Sequence, residues 1–168
     1  EEGLLLSLNA LSKARDNETG NHILRTREYV RILGFSLLKM AAYHGQFSKK
    51  DVELFVRASP LHDIGKVGIP DHILQKPGKL TDEEWGVMKT HAELGESVLR
   101  QAKSEEVKHS KLLDIAIQIA GGHHEQWDGS GYPRGLKGEQ IPLAARFMSV
   151  ADCYDALVSE RVYKGKWT

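Results

Sequence analysis

The stretch LLDIAIQIAGGHH, residues 112–124, decides the fold. Its apolar residues recur three and four apart, the period of a helix rather than a strand. Leu112, Ala116 and Ile119 share one register, which His123 continues. Leu113, Ile117 and Ala120 share another, which His124 continues. A helix is therefore expected over Leu112 to His124, with Gly121 and Gly122 weakening its end.

The same period spreads outward. Leu4, Leu5, Leu8 and Leu11 share a helical face. A second pattern starts near His22 and runs through Tyr29, Leu33, Leu37 and Met40, with Gly45 as terminator. Ser48 reads as an N-cap, and Val52, Phe55 and Ser59 lead down one face to His62. Thr81 and Glu84 form a capping box. The helix they open carries Trp85, Met88, Gly95 and Val98 on one side, with His91 on that stripe. Pro142 fits the first turn of a last helix through Phe147, Ala151, Tyr154 and Val158. Glycine- and proline-rich loops occupy Gly65 to Gly78 and the region after His124. Alternating strand patterns are almost absent. The expected fold is all-α, a helical bundle with two long loops.

The chain has 168 residues, enough for one domain with a sizeable core. Its 23 basic and 23 acidic residues cancel, so no global field draws DNA or an anionic membrane. No apolar run is long enough to cross a bilayer, and no secretory signal is visible. The cytoplasm is the default compartment. The first residue is not Met and the first residues already read as helix, so a piece of a longer protein is expected. Cys153, the only cysteine, reads as a small buried side chain.

Histidines and acids from separate helices fall on the inward stripes: His22, His62, His91, His123, His124 and Asp152. Asp152 shares its face with Met148 and Asp155. Burying such groups without partners costs about 1–3 kcal/mol each. A divalent cation satisfies them together. Imidazole and carboxylate without thiolate suit iron, manganese or zinc, the first two at higher coordination numbers. Adjacent helical residues do not face one another, so His123 and His124 suit two ions better than one. Asp63, beside His62, can bridge two metals, a recurring solution for phosphodiester hydrolysis. His44, His72 and His109 read as solvated.

Together, LHDIGKVGIPD from Leu61, HAELGESVL from His91, HHEQWDGSGYPRGLKGE from His123 and ADCYDALVSERVYK from Ala151 resemble the HD-GYP branch of the HD phosphohydrolases. The resemblance covers nearly the whole chain in order. It implies an HD-domain bundle with the metal site in its core, over a single domain spanning residues 1–168. It also implies a metal-dependent phosphodiesterase opening cyclic di-GMP to pGpG, and on to GMP in many members, by attack of a metal-activated hydroxide. The ligands carried over are His22, His62, Asp63, His91, His123, His124 and Asp152. Glu18 matches a ligand for a third metal in some members; a solvated acid at a helix start is the alternative. Two or three divalent ions, iron or manganese, are thus implied.

By the same resemblance Lys66 contacts a substrate phosphate beside the catalytic Asp63; a solvated loop lysine is the plain alternative. Arg161 and Lys164 would hold the other phosphate or a guanine, or merely charge a helix end. Asp155 is placed to orient a ligand histidine. Gly129, Gly131, Gly135 and Gly138 allow unusual backbone in the loop. Packing onto the core is favoured for Trp127. For Tyr132, substrate or partner contact ranks level with packing. The family's loop also implies docking of a diguanylate cyclase. The segments ETGNH and RVYK resemble members that follow a receiver domain. The rivals are a phosphodiesterase for 3′,3′-cyclic GMP-AMP and a non-catalytic cyclic dinucleotide sensor or docking module.

Overall fold

The computed structural model describes residues 20–103 and 109–159. The Leu4–Leu11 face, Glu18, Arg161 and Lys164 lie outside them. Every regular element among the described residues is helical: α1 (Gly20–Leu37), α2 (Lys49–Ala58), α3 (Asp71–Leu74), α4 (Asp82–Lys89), α5 (His91–Gln101), α6 (Lys111–Gly122) and α7 (Leu143–Val158), with short 3₁₀ turns between them. No described helix is long and apolar enough to cross a membrane.

The start signals work as the sequence implies. Ser48 caps α2 in a reciprocal capping box with Asp51, and Thr81 does the same for α4 with Glu84. Ser110 caps α6 by accepting from the Leu113 N–H. The core lies where α1, α2, α6 and α7 meet, built from Val30, Val52, Phe55, Ile119, Phe147 and Met148 among others. Phe147 meets Phe55 and Phe47 ring to ring.

Several boundaries and faces differ from the periodic reading. The helix from His22 ends at Leu37, three residues before Met40, because the last amides tighten to bonds three residues back, Lys39 to Ser36 and Met40 to Leu37. The stripe of Trp85, Met88 and Val98 is split into α4 and α5 at Thr90. There the Thr90 hydroxyl donates to the Val87 carbonyl and His91 Nδ1 takes that of Met88, occupying carbonyls of the last α4 turn. α4 buries none of its residues, so Trp85 is not core. Cys153 is exposed, since α7 turns Ala151 and Asp155 inward instead.

One close approach positions the site. Asp63 precedes the 3₁₀ turn Ile64–Gly68, which packs on α5. A Cβ on Gly65 would collide with the His91 carbonyl oxygen and the Gly95 backbone, so only glycine lets the two backbones touch.

Candidate metal centre

Seven residues from five stretches of chain converge at the end of the core. Asp63, His91, His123 and His124 form one set whose ligand atoms lie within 4.8 Å of one another, and His22, His62 and Asp152 form a second. The sets adjoin through Asp63. Its Oδ2 is 3.1 Å from His62 Nε2, and its Oδ1 is 3.3 Å from His91 Nε2 and 3.7 Å from His123 Nε2. In the second set His22 Nε2 is 3.6 Å from Asp152 and 3.4 Å from His62 Nε2.

Local sequence aims these rings. His62 Nδ1 donates to the Ser59 carbonyl at 2.9 Å, His91 Nδ1 to Met88 at 2.7 Å, and His123 Nδ1 to Ile119 at 3.0 Å. Each histidine sits where a helical turn ends and leaves a carbonyl exposed three or four residues back. His22 Nδ1 donates instead to Asp155 at 2.8 Å, and Asp155 also accepts two bonds from Arg25. With the protons committed to Nδ1, the network turns four Nε2 lone pairs toward one small volume. Lone pairs of His22 and His62 face each other beside carboxylate oxygens, an arrangement that a cation stabilises. His123 Nε2 is buried with no hydrogen-bond partner among the described residues. The donor set therefore fits divalent metal, with His/Asp ligands.

The charge states agree. Burial, together with His123 and His91 nearby, pushes His124 down to about 2, keeping it a neutral donor. Burial likewise lowers His123, against the pull of Asp63. Burial raises Asp63, but Lys66 and His62 outweigh it and hold the carboxyl well below its usual range. Lys66 Nζ lies 2.8 Å from Asp63 Oδ2, so this lysine is not merely solvated.

His123 and His124 do not diverge as helical neighbours would. α6 ends at Gly122, His123 is its C-cap, and the rings lie 4.0 Å apart in the same ligand set. His44, His72 and His109 are exposed and apart from the cluster.

The glycine loop closes over one side. Tyr132 stacks on His124 at 4.6 Å with the planes 21° apart, and its N–H donates to the His124 carbonyl. Burial and the Asp63 and Asp152 carboxylates raise its hydroxyl pKa, so this ring shares the cluster's field. Gly129, Gly135 and Gly138 take positive φ, whereas Gly131 is needed for space: a Cβ there would strike the backbone of His124–Gln126. Trp127 does not pack onto the core. It is 61% exposed and lies against the Arg146 guanidinium at 5.7 Å, because its backbone is held outside by the Gly138 bond.

Two residues escaped the periodic reading. Glu125 is 2% exposed, and its carboxylate accepts the N–H groups of Arg134 and Leu136 at 2.8 and 2.9 Å, pinning the loop. Arg25 holds Asp155 behind His22. Glu125 was legible as the acid after two histidines, and only the loop's return path assigns it.

Comparison with known proteins agrees with this geometry. The family described as HD domain matches residues 14–168. A probable cyclic di-GMP phosphodiesterase of Vibrio cholerae is 50% identical over 98% of this chain and 37% of its own length. The cyclic di-GMP phosphodiesterase response regulator RpfG of Xanthomonas campestris is 43% identical over 100% of this chain and 44% of its own. A 3′3′-cGAMP-specific phosphodiesterase of Vibrio cholerae is 41% identical over 98% and 29%. The chain thus spans less than half the length of these relatives. With its HD-GYP motifs in order, the chain belongs to the HD domain family.

Proposed function

We propose that the domain is a metal-dependent phosphodiesterase that hydrolyses cyclic di-GMP to pGpG. The observation that carries this is the convergence of Nε2 lone pairs on a low-pKa carboxylate with an oxygen toward each ligand set. The names of relatives up to 53% identical supply the substrate class.

In this reading His22, His62 and Asp152 would hold one ion and His91, His123 and His124 another, with Asp63 shared between the two sets. Iron or manganese fits the nitrogen- and oxygen-rich set. Bound metal would supply an acidified water and offset phosphate charge. The protein's own groups do the rest. Asp155, fixed by Arg25, keeps the His22 Nδ1 proton in place. Lys66 steadies Asp63 and places a positive charge beside the position of a phosphate. Tyr132 walls the cluster and keeps water from His124. No serine or cysteine nucleophile is called for, and Cys153 sits outside the cluster. The response-regulator relative supports a receiver-linked arrangement.

The 41% identity to a cGAMP-specific relative supports a second substrate, 3′,3′-cyclic GMP-AMP. Turnover of both dinucleotides by protein purified without chelators, with metals counted by mass spectrometry, tests the reading. Cleavage of cyclic di-GMP at the higher kcat/KM with about two ions bound is expected. Absence of hydrolysis of both in fully metallated protein would refute it.

A further inference from the structure

The geometry points to Trp85 as an aromatic platform for a purine base of the substrate, with Lys89 beside it for a phosphate or base carbonyl; this rests on the phosphodiesterase reading above. Trp85 is 46% exposed on a helix that buries nothing, so core packing does not explain it. Its ring is nevertheless fixed. It meets Tyr132 edge to face, with centroids 6.3 Å apart and planes at 83°. Tyr132 in turn stacks on His124 of the metal cluster. Trp85 thus stands one ring away from the cluster.

Lys89 lies one helical turn after Trp85, on the same side of α4, with Nζ 6.0 Å from the centre of the Tyr132 ring. It has no ion-pair partner among the described residues. An exposed indole and an ammonium over an aromatic edge, beside a phosphate-hydrolysing cluster, suit a flat base carrying electronegative oxygens. The other exposed tryptophan among the described residues, Trp127, is occupied by Arg146 and serves as the internal control.

The test compares cyclic di-GMP kinetics and metal content for the parent, Trp85→Leu, Trp85→Phe and Trp127→Leu. Equilibrium binding of a hydrolysis-resistant phosphorothioate analogue of cyclic di-GMP to the same four metal-loaded proteins is measured by calorimetry. Loss of one base stack should raise KM and the dissociation constant of Trp85→Leu about tenfold or more, with metal unchanged. Trp85→Phe should recover most of the loss, since it keeps a π face. Trp127→Leu should match the parent. A change below twofold in Trp85→Leu overturns the platform, as does equal damage from Leu and Phe, which would mark an indole needed only to seat Tyr132. A parent that cleaves cyclic di-GMP while Trp85→Leu is unaffected sinks the platform alone. A parent that neither binds nor cleaves it sinks both.

Discussion

The molecule holds two polar clusters side by side, and they are built on opposite plans. Around Glu125 every strong group is answered by the protein. The carboxylate takes two backbone N–H groups, and the Arg134 guanidinium spans Glu96 and the Gly121 carbonyl. Around Asp63, Lys66 answers one oxygen, but imidazole nitrogens face one another lone pair toward lone pair, and His123 Nε2 is left with no hydrogen-bond partner among the described residues. A polar cluster closed on itself fixes structure. One whose nitrogen lone pairs converge on a shared centre is shaped to hold a cation there.

Asp63→Ala attacks the open cluster and should have the largest effect. Turnover of cyclic di-GMP should fall below detection and bound metal should drop, while the far-ultraviolet circular dichroism stays helical. Unchanged turnover with unchanged metal would erase the distinction between the clusters.

Glu125→Ala attacks the closed one. Two buried N–H groups lose their acceptor, at about 1–3 kcal/mol each. Melting should fall by about 5–15 °C, with metal content retained in the folded protein. If metal is lost in step with the loop, the clusters are one unit rather than two.

The smallest effect lies at the rim. Burial raises Glu96, but Arg100 and Arg134 outweigh it and hold its pKa below the usual value. A depressed acid stabilises the fold above its unfolded pKa, and that contribution is lost as pH falls through the folded value. The melting difference between the parent and Glu96→Gln should therefore be steady above about pH 5 and fade in more acid solution, staying near 1 kcal/mol or less. A difference that grows on acidification would show that the two guanidinium groups do not hold Glu96 ionised.

The sequence revealed the open cluster better than the closed one, for a physical reason. His22, His62, His91, His123 and Asp152 stand out as polar interruptions of apolar stripes, so helical period alone brings them to one place. Glu125 and Arg134 lie in irregular chain, where partners follow from the path of the loop and not from any period. The same limit misread α4. Trp85 and Met88 have amphipathic spacing, but spacing says nothing about whether another element covers that face. It also misread His123 and His124. Their divergence requires an unbroken helix, and α6 stops one residue too early for that. Cys153 fell to a smaller error of the same kind, two residues along α7 from the buried Ala151 and therefore on the opposite face.

The contact at Gly65 and Gly95 has a consequence for how the domain tolerates change. Backbone rests on backbone there, so the spacing between Asp63 and His91 is not set by the volume of any side chain. Apolar residues elsewhere in the core can be exchanged for others of similar size, and the shifts they cause need not reach the bridge between the ligand sets. The tolerance is one-sided. A single methyl group at residue 65 has nowhere to go, and it would pry the Asp63 turn off α5 however well the rest of the core is packed.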